Sequence, residues 1–225
     1  TTELLKRETV AVGAAYQRVR DEVKNGHQAY VVCPLVEDSG KIEAAAATKR
    51  AEELGNTEFK GVRVGLLHGQ MPSSDKEKIM NAFRSKEIDV LVATTVIEVG
   101  VDVPNATVMV IEDAQRFGLA QLHQLRGRVG RGGGASWCYL IADVTTKDAA
   151  ARMDAMVETT DGFVLADRDL EIRGTGQIFG ERQSGQSIDK HLRLARLPRD
   201  IKYVEFARTT AELILDADPD LARHR

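Results

Sequence analysis

Five short apolar runs limit what this chain can fold into: QAYVVC at 28–33, VRVGLL at 62–67, IDVLVA at 88–93, TVMVIE at 107–112 and SWCYLIA at 136–142. Each is nearly continuous in apolar character and rich in β-branched residues. That is the pattern of strands covered on both faces, as in a parallel sheet; a sheet with one wet face would alternate instead. Helical patterns separate the runs at 8–25, 41–55 and 72–86, the last opening with Pro72 in its first turn, then Ser73, Ser74 and Asp75. Strand–helix–strand alternation predicts an α/β fold built on a doubly wound parallel sheet.

The pattern changes near residue 157. The stretch DGFVLADRDLEIRGTGQIFGERQSGQS (161–187) is charged, punctuated by glycine and poor in strand signals. Two helical patterns follow at 189–196 and 199–216, with Pro198 between them. A length of 225 residues suits one domain with a small appendage. The expected division is therefore 1–157 for the sheet domain and 158–225 for a helical and loop appendage. The opening TTELLKRE lacks an initiator Met and reads as mid-chain, so a fragment of a longer protein is expected.

A net charge of −3 argues against a generally basic nucleic-acid coat protein. The distribution of charge says something different. From Ala114 to Ala142 there is no Asp or Glu, yet Arg116, Arg126, Arg128 and Arg131 all fall inside, which marks a candidate anion site. Cys33 and Cys138 each sit in an apolar run and read as core thiols in a reducing cytosol. With no clustered His, two Cys make no recognisable zinc site, and no metal ligands are assigned.

The acid-free stretch contains QLRGRVGR at 124–131. Projected as a helix at about 100° per residue, Gln121, Gln124, Arg128 and Arg131 fall within roughly 80° of one another. Leu122, Leu125 and Val129 gather on a separate stripe that can pack on a sheet, and Arg126 points away from the polar group. Two guanidinium forks beside an amide suit bidentate phosphate recognition, and Gly127 among them allows close approach. A solvated polar face is the bland alternative. Glycine in a helix costs about 1 kcal/mol, which counts against it.

A second candidate is VLVATTVIEVGVDVPNA at 90–106, a buried strand ending in Ala93-Thr94-Thr95 and followed by a Gly100-x-Asp102-x-Pro104 turn. In parallel sheets ligands bind outside the carboxyl ends of strands, so Thr94 and Thr95 suit phosphate and Asp102 suits a ribose hydroxyl. Helix and turn capping explain the same residues equally well. Two other motifs fail. The only Gly-Lys pair, Gly40-Lys41, has Leu35 where a P-loop needs its first glycine and Ile42 where it needs Ser or Thr. Gly174-Thr175-Gly176 is followed by Gly180, one residue too far for a dinucleotide fingerprint.

Resemblance adds to these readings. AYVVCPLVEDS, LLHGQM (66–71), VLVATTVIEVGVDVP and QLRGRVGR resemble motifs IV, IVa, V and VI of superfamily 2 helicases, in the order and spacing of the second RecA-like lobe. TTVIEVGVDVPNATVMVIEDAQRFGLAQLHQLRGRVGRG and DGFVLADRDLEIRGTGQIFGERQSG are similar to a bacterial family of ATP-dependent helicases of branched DNA. The second of these resembles that family's TRG element, a helical hairpin and loop that couple hydrolysis to translocation. The transcription–repair coupling factors share the element. His123 in QLHQLRGR and Arg182 directly before Gln183 favour the branched-DNA helicases.

The resemblance implies that Arg128 and Arg131 reach the phosphates of ATP held on another lobe, Arg131 as arginine finger with Gln124 assisting. It implies that Gly100 and Asp102 lie near the nucleotide, and that Thr94, Thr95, His68 and Arg116 face the DNA backbone. Arg182 and Gln183 would move with the motor. The implied ligands are ATP and Mg2+, bound mainly by a first lobe this sequence does not contain. The implied partners are branched or duplex DNA and the first lobe and wedge domain of the same protein. A monomer is expected, bacterial, cytoplasmic and nucleoid-associated, without membrane contact. The alternatives are the same lobe of a coupling factor and a non-hydrolysing nucleic-acid-binding module.

Overall fold

The computed structural model describes residues 1–7, 10–34, 40–94, 103–173 and 201–218. Two compact units divide the chain, Thr1–Leu165 and Ala166–Arg225. The first contains a six-stranded sheet in the order β1-β6-β5-β2-β4-β3, every neighbouring pair parallel. The strands are β1 (Thr2–Lys6), β2 (Gln28–Val32), β3 (Val64–Leu67), β4 (Val90–Ala93), β5 (Ala106–Ile111) and β6 (Trp137–Ala142). Helices α1 (Val10–Lys24), α2 (Gly40–Asn56), α3 (Ser73–Arg84), α4 (Leu119–Arg126) and α5 (Lys147–Glu158) connect and follow them.

The apolar runs became strands because burial on both faces rewards continuous apolar sequence. All residues of β2, β4 and β5, three of the four strands away from the edges, are buried. Alternation divides their side chains. Val31, Val92, Val110 and Ile141 join Tyr16, Val19, Leu54 and Phe59 of the α1–α2 side in one core cluster. Tyr30, Leu91, Met109 and Leu140 point to the other face, where Tyr30 meets Phe83 of α3 with ring centroids 5.0 Å apart. Leu122, Leu125, Met153 and Met156 of α4 and α5 are buried as well.

Two elements of this unit were not expected. TELLK pairs with β6 as an edge strand, Thr2 opposite Cys138, with only Leu5 buried. An edge strand hides little apolar surface, so it leaves no run to read. Helix α5 was also missed, although Thr146 caps it by accepting from the Ala149 N–H at 3.2 Å. Pro72 stands one residue before the first helical residue of α3 rather than inside its first turn.

Helix α6 (Gly162–Arg173) begins in the first unit and runs into the second, whose other described helix is α7 (Ile201–Ala217). The expected helix at 189–196 lies outside the described residues. No described helix is long and apolar enough to cross a membrane.

Candidate functional site

The polar face drawn from the helical projection does not form as expected. Helix α4 ends at Arg126, and Gly127 caps it with φ −67° and ψ −5°. Single turns follow: Arg128 N–H donates to the Leu125 carbonyl at 2.9 Å and Val129 N–H to that of Arg126 at 3.4 Å. At Gly130 the backbone turns left-handed, φ +81°. Arg128 and Arg131 thus stand on a turn after the helix, not on one helical face with Gln121 and Gln124. Gln121 is used locally, its side-chain oxygen accepting from the Gly118 N–H at 3.1 Å. The apolar stripe does form, with Leu122, Leu125 and Val129 all buried.

Glycine controls where this turn lies. A Cβ on Gly132 would come within 2.6 Å of the Pro104 carbonyl oxygen, so the bare Cα lets the turn lie against the segment entering β5. Gly130 N–H donates to the carbonyl of Ala106, the first residue of β5, at 3.2 Å. Arg131 is exposed, with its Nε donating to the Gly127 carbonyl at 2.8 Å. The arginine turn therefore sits at the amino edge of the sheet. Gln124 is exposed on α4.

A different set gathers at the carboxyl edge. Thr94 follows the last residue of β4, and its N–H donates to the carbonyl of Leu67, the last residue of β3, at 3.1 Å. His68 follows Leu67, so His68 and Thr94 are neighbours at adjacent strand ends. Thr94 is 1% exposed, and neither its Oγ1 nor the buried His68 Nδ1 has a hydrogen-bond partner among the described residues. Native structures leave few such atoms unsatisfied. Arg116 is exposed on a short 3₁₀ turn, Ala114–Arg116, beyond the end of β5. Thr95, Gly100 and Asp102 of the strand–turn motif lie outside the described residues, as do Arg182 and Gln183.

Arg116 also borders a cleft of roughly 400 Å3 at this edge, shared with Arg7, Tyr16, Cys33, Arg50, Glu112 and Asp113. Arg50 donates through Nε to both carboxylate oxygens of Glu112 at 3.1 and 2.9 Å, and through Nη2 to Oε1 at 2.6 Å. Tyr16 donates to the same carboxylate. Burial, followed by the Glu112 charge, pushes both the Tyr16 hydroxyl and the Cys33 thiol well above their ordinary values, keeping both protonated. Arg7 pairs with Asp113, a non-glycine residue held at φ +49°.

Sequence reading missed this network because its members come from α1, α2 and the residues just after β2 and β5, and no local spacing joins them. Arg126, unassigned from the sequence, donates through Nη1 to the carbonyls of Met156 and Thr159, each at 2.8 Å. Arg152 of α5 donates to the Gln115 carbonyl at 3.0 Å.

Comparison with known proteins agrees with this architecture. Residues 13–133 match the helicase conserved C-terminal domain, and residues 159–224 match the family described as ATP-dependent DNA helicase RecG, domain 3, C-terminal. The chain is 46% identical over 209 residues to the ATP-dependent DNA helicase RecG of Synechocystis sp., covering 93% of this chain and 25% of that protein. To the RecG of Streptococcus pneumoniae it is 50% identical over 194 residues, 86% of this chain and 28% of the relative. A solved structure of RecG bound to a three-way DNA junction superposes with a TM-score of 0.67 at 41% identity, covering 91% of this chain and 25% of that one. The chain spans about a quarter of the length of these relatives. With the helicase domain matched over more than half of its residues and the RecG segment following it, the chain belongs to the helicase conserved C-terminal domain family, in the form that RecG carries.

Proposed function

We propose that this chain is the second motor lobe, with its coupling element, of an ATP-dependent DNA helicase of the RecG type that remodels branched DNA. One observation supports the reading: the candidate groups among the described residues divide between opposite edges of one sheet. The arginine turn lies at the amino edge of β5, while His68, Thr94 and Arg116 lie at the carboxyl edge of the strands. A motor lobe has to meet two anionic ligands at once, a nucleotide and a DNA backbone, without one blocking the other.

At the arginine turn, Arg128 and Arg131 offer planar guanidinium forks suited to phosphate oxygens. ATP supplies the phosphoryl group whose transfer to water drives stepping. Among the described residues no three His, Cys, Asp or Glu side chains come together as a metal shell. The share of an ATP–Mg2+ site assigned to this chain is cationic and amide donors, and Mg2+ is assigned to the first lobe. An arginine delivered from across a cleft makes hydrolysis depend on lobe closure, which ties chemistry to movement. At the other edge, Arg116 and His68 are the contacts assigned to the DNA backbone; Thr95, assigned with them, lies outside the described residues. Buried Thr94 is assigned the support of that strand end.

Two outcomes test the reading. The isolated chain, which carries no P-loop, is expected to show no ATPase. Turnover that copurifies with it through successive columns would refute the division of labour. In the full-length helicase, Arg182→Ala or Gln183→Ala is expected to leave DNA-stimulated ATPase within about threefold while fork unwinding falls by about tenfold or more. Wild-type unwinding in both variants, measured on a labelled fork, would remove the coupling role.

A further inference from the structure

We infer that Arg7 is a positioning residue for Arg116: it holds Asp113 in the left-handed conformation on which the Arg116 turn is built, and so sets where Arg116 meets a DNA phosphate. The inference rests on the motor reading above, in which Arg116 is a contact to the DNA backbone.

At the carboxyl edge the chain leaves β5 through a tied residue. Glu112 donates its N–H to the Val32 carbonyl at 2.8 Å, and its carboxylate is held by Arg50 and Tyr16. The next residue, Asp113, has φ +49° and ψ +44°. A side chain on left-handed backbone crowds the following carbonyl, and only glycine adopts that conformation without cost. Aspartate reduces the cost when its side chain bonds the local backbone, but Asp113 makes no such bond to the turn it precedes. Its carboxylate is instead engaged by Arg7, just after β1 and 106 positions away, which donates through Nη2 to Oδ1. Gln115 Nε2 adds only a long contact to the same oxygen, at 3.5 Å. Arg7 Nε also lies 3.9 Å from Asp143 Oδ2, so one guanidinium spans the ends of β5 and β6.

The rest of the turn is fixed by other elements. Arg116 N–H donates to the Asp113 carbonyl at 2.9 Å, and Phe117 N–H to that of Ala114 at 3.1 Å. Gln115 accepts from the Asp143 N–H through its Oε1 at 3.2 Å and from Arg152 Nη2 through its carbonyl at 3.0 Å. Ala114 and Phe117 are buried, which leaves Arg116 as the exposed residue of the turn. The entry at Asp113 is the strained point, and Arg7 secures it. Stability alone gives this pair little reason to exist. The Arg7 and Asp113 side chains are 44% and 26% exposed, and ion pairs in such positions contribute little to folding. A fixed conformation is what the pair adds, and a preorganised cation binds phosphate better than one that must first be ordered. Pairing also neutralises a carboxylate three residues from Arg116 that would otherwise weaken the attraction of this edge for phosphate.

The experiment uses the full-length helicase and reads two quantities on a fork at fixed salt: the DNA concentration giving half-maximal ATPase, and turnover at saturating DNA. Arg7→Gln is expected to raise the first about five- to tenfold and to leave the second within about twofold. Arg7→Lys, which keeps the charge and one donor, is expected to fall between. In an Arg116→Ala background, Arg7→Gln is expected to change neither quantity by more than about twofold, because the residue it positions is gone. In an Asp113→Gly background, where glycine takes the left-handed conformation unaided, the effect of Arg7→Gln is expected to shrink likewise. If Arg7→Gln lowers the melting temperature, Arg7→Lys carries the same comparisons. Wild-type DNA dependence in Arg116→Ala alone would sink the DNA-contact reading and the inference with it. With that reading intact, an Arg7 effect of equal size with and without Arg116, no effect at all, or a matching fall in saturated turnover overturns the positioning role.

Discussion

Replacing Arg131 with alanine in the full-length helicase is expected to lower DNA-stimulated ATP turnover by about 10³–10⁵, the range for an arginine finger in phosphoryl transfer. ATP and DNA binding should stay within about threefold, because the residue is proposed to act on charge that develops during the reaction. The turn is built for such a role. Gly130 at φ +81° and Gly132 against Pro104 fix the backbone on either side of Arg131, and the Nε bond to the Gly127 carbonyl orients the guanidinium plane. Arg131→Lys should fall between wild type and alanine, since an ammonium restores charge but not the fork. Near-normal turnover by Arg131→Ala in a steady-state phosphate-release assay would remove the assignment.

Arg50→Ala is expected to destabilise the sheet domain by roughly 2–4 kcal/mol in a urea titration. That is below the upper end for a wholly buried pair, because the Arg50 side chain is 35% exposed. The loss arises less from missing hydrogen bonds than from the Glu112 carboxylate left behind, 8% exposed and with Tyr16 and the Cys33 thiol, at 3.7 Å, as its remaining donors. Glu112→Gln should therefore rescue much of the loss when combined with Arg50→Ala, and simple additivity would contradict this account. The same cluster carries a pH dependence. Tyr16 is raised in the folded state, so its contribution is complete below about pH 10, where unfolded tyrosine stays protonated, and is lost as pH climbs further. Tyr16→Phe should flatten that alkaline limb.

How legible the molecule is in its sequence depends on how far apart the interacting residues are. Strands β2, β4 and β5 were readable because double-sided burial writes itself as continuous apolar sequence. Strand β1 was not, because an edge strand with one buried residue obeys no such rule. In the arginine motif the apolar half followed helical periodicity, and Leu122, Leu125 and Val129 are buried as projected. The polar half did not, because Gly127 ends the helix and Gly130 redirects the chain before Arg131. Periodicity describes only the residues that share one helix.

By itself, then, the sequence determined the parallel α/β class, the helicase motifs and the candidate anion-binding arginines. The class and the arginines follow from local composition and spacing, the motifs from resemblance to the family. Tertiary structure decided which edge of the sheet the described candidates occupy, that Glu112 is held by residues 96 and 62 positions away, and that Arg126 ties α4 to α5. Those contacts join residues far apart along the chain, and only the order in which the strands pair brings them within hydrogen-bond reach.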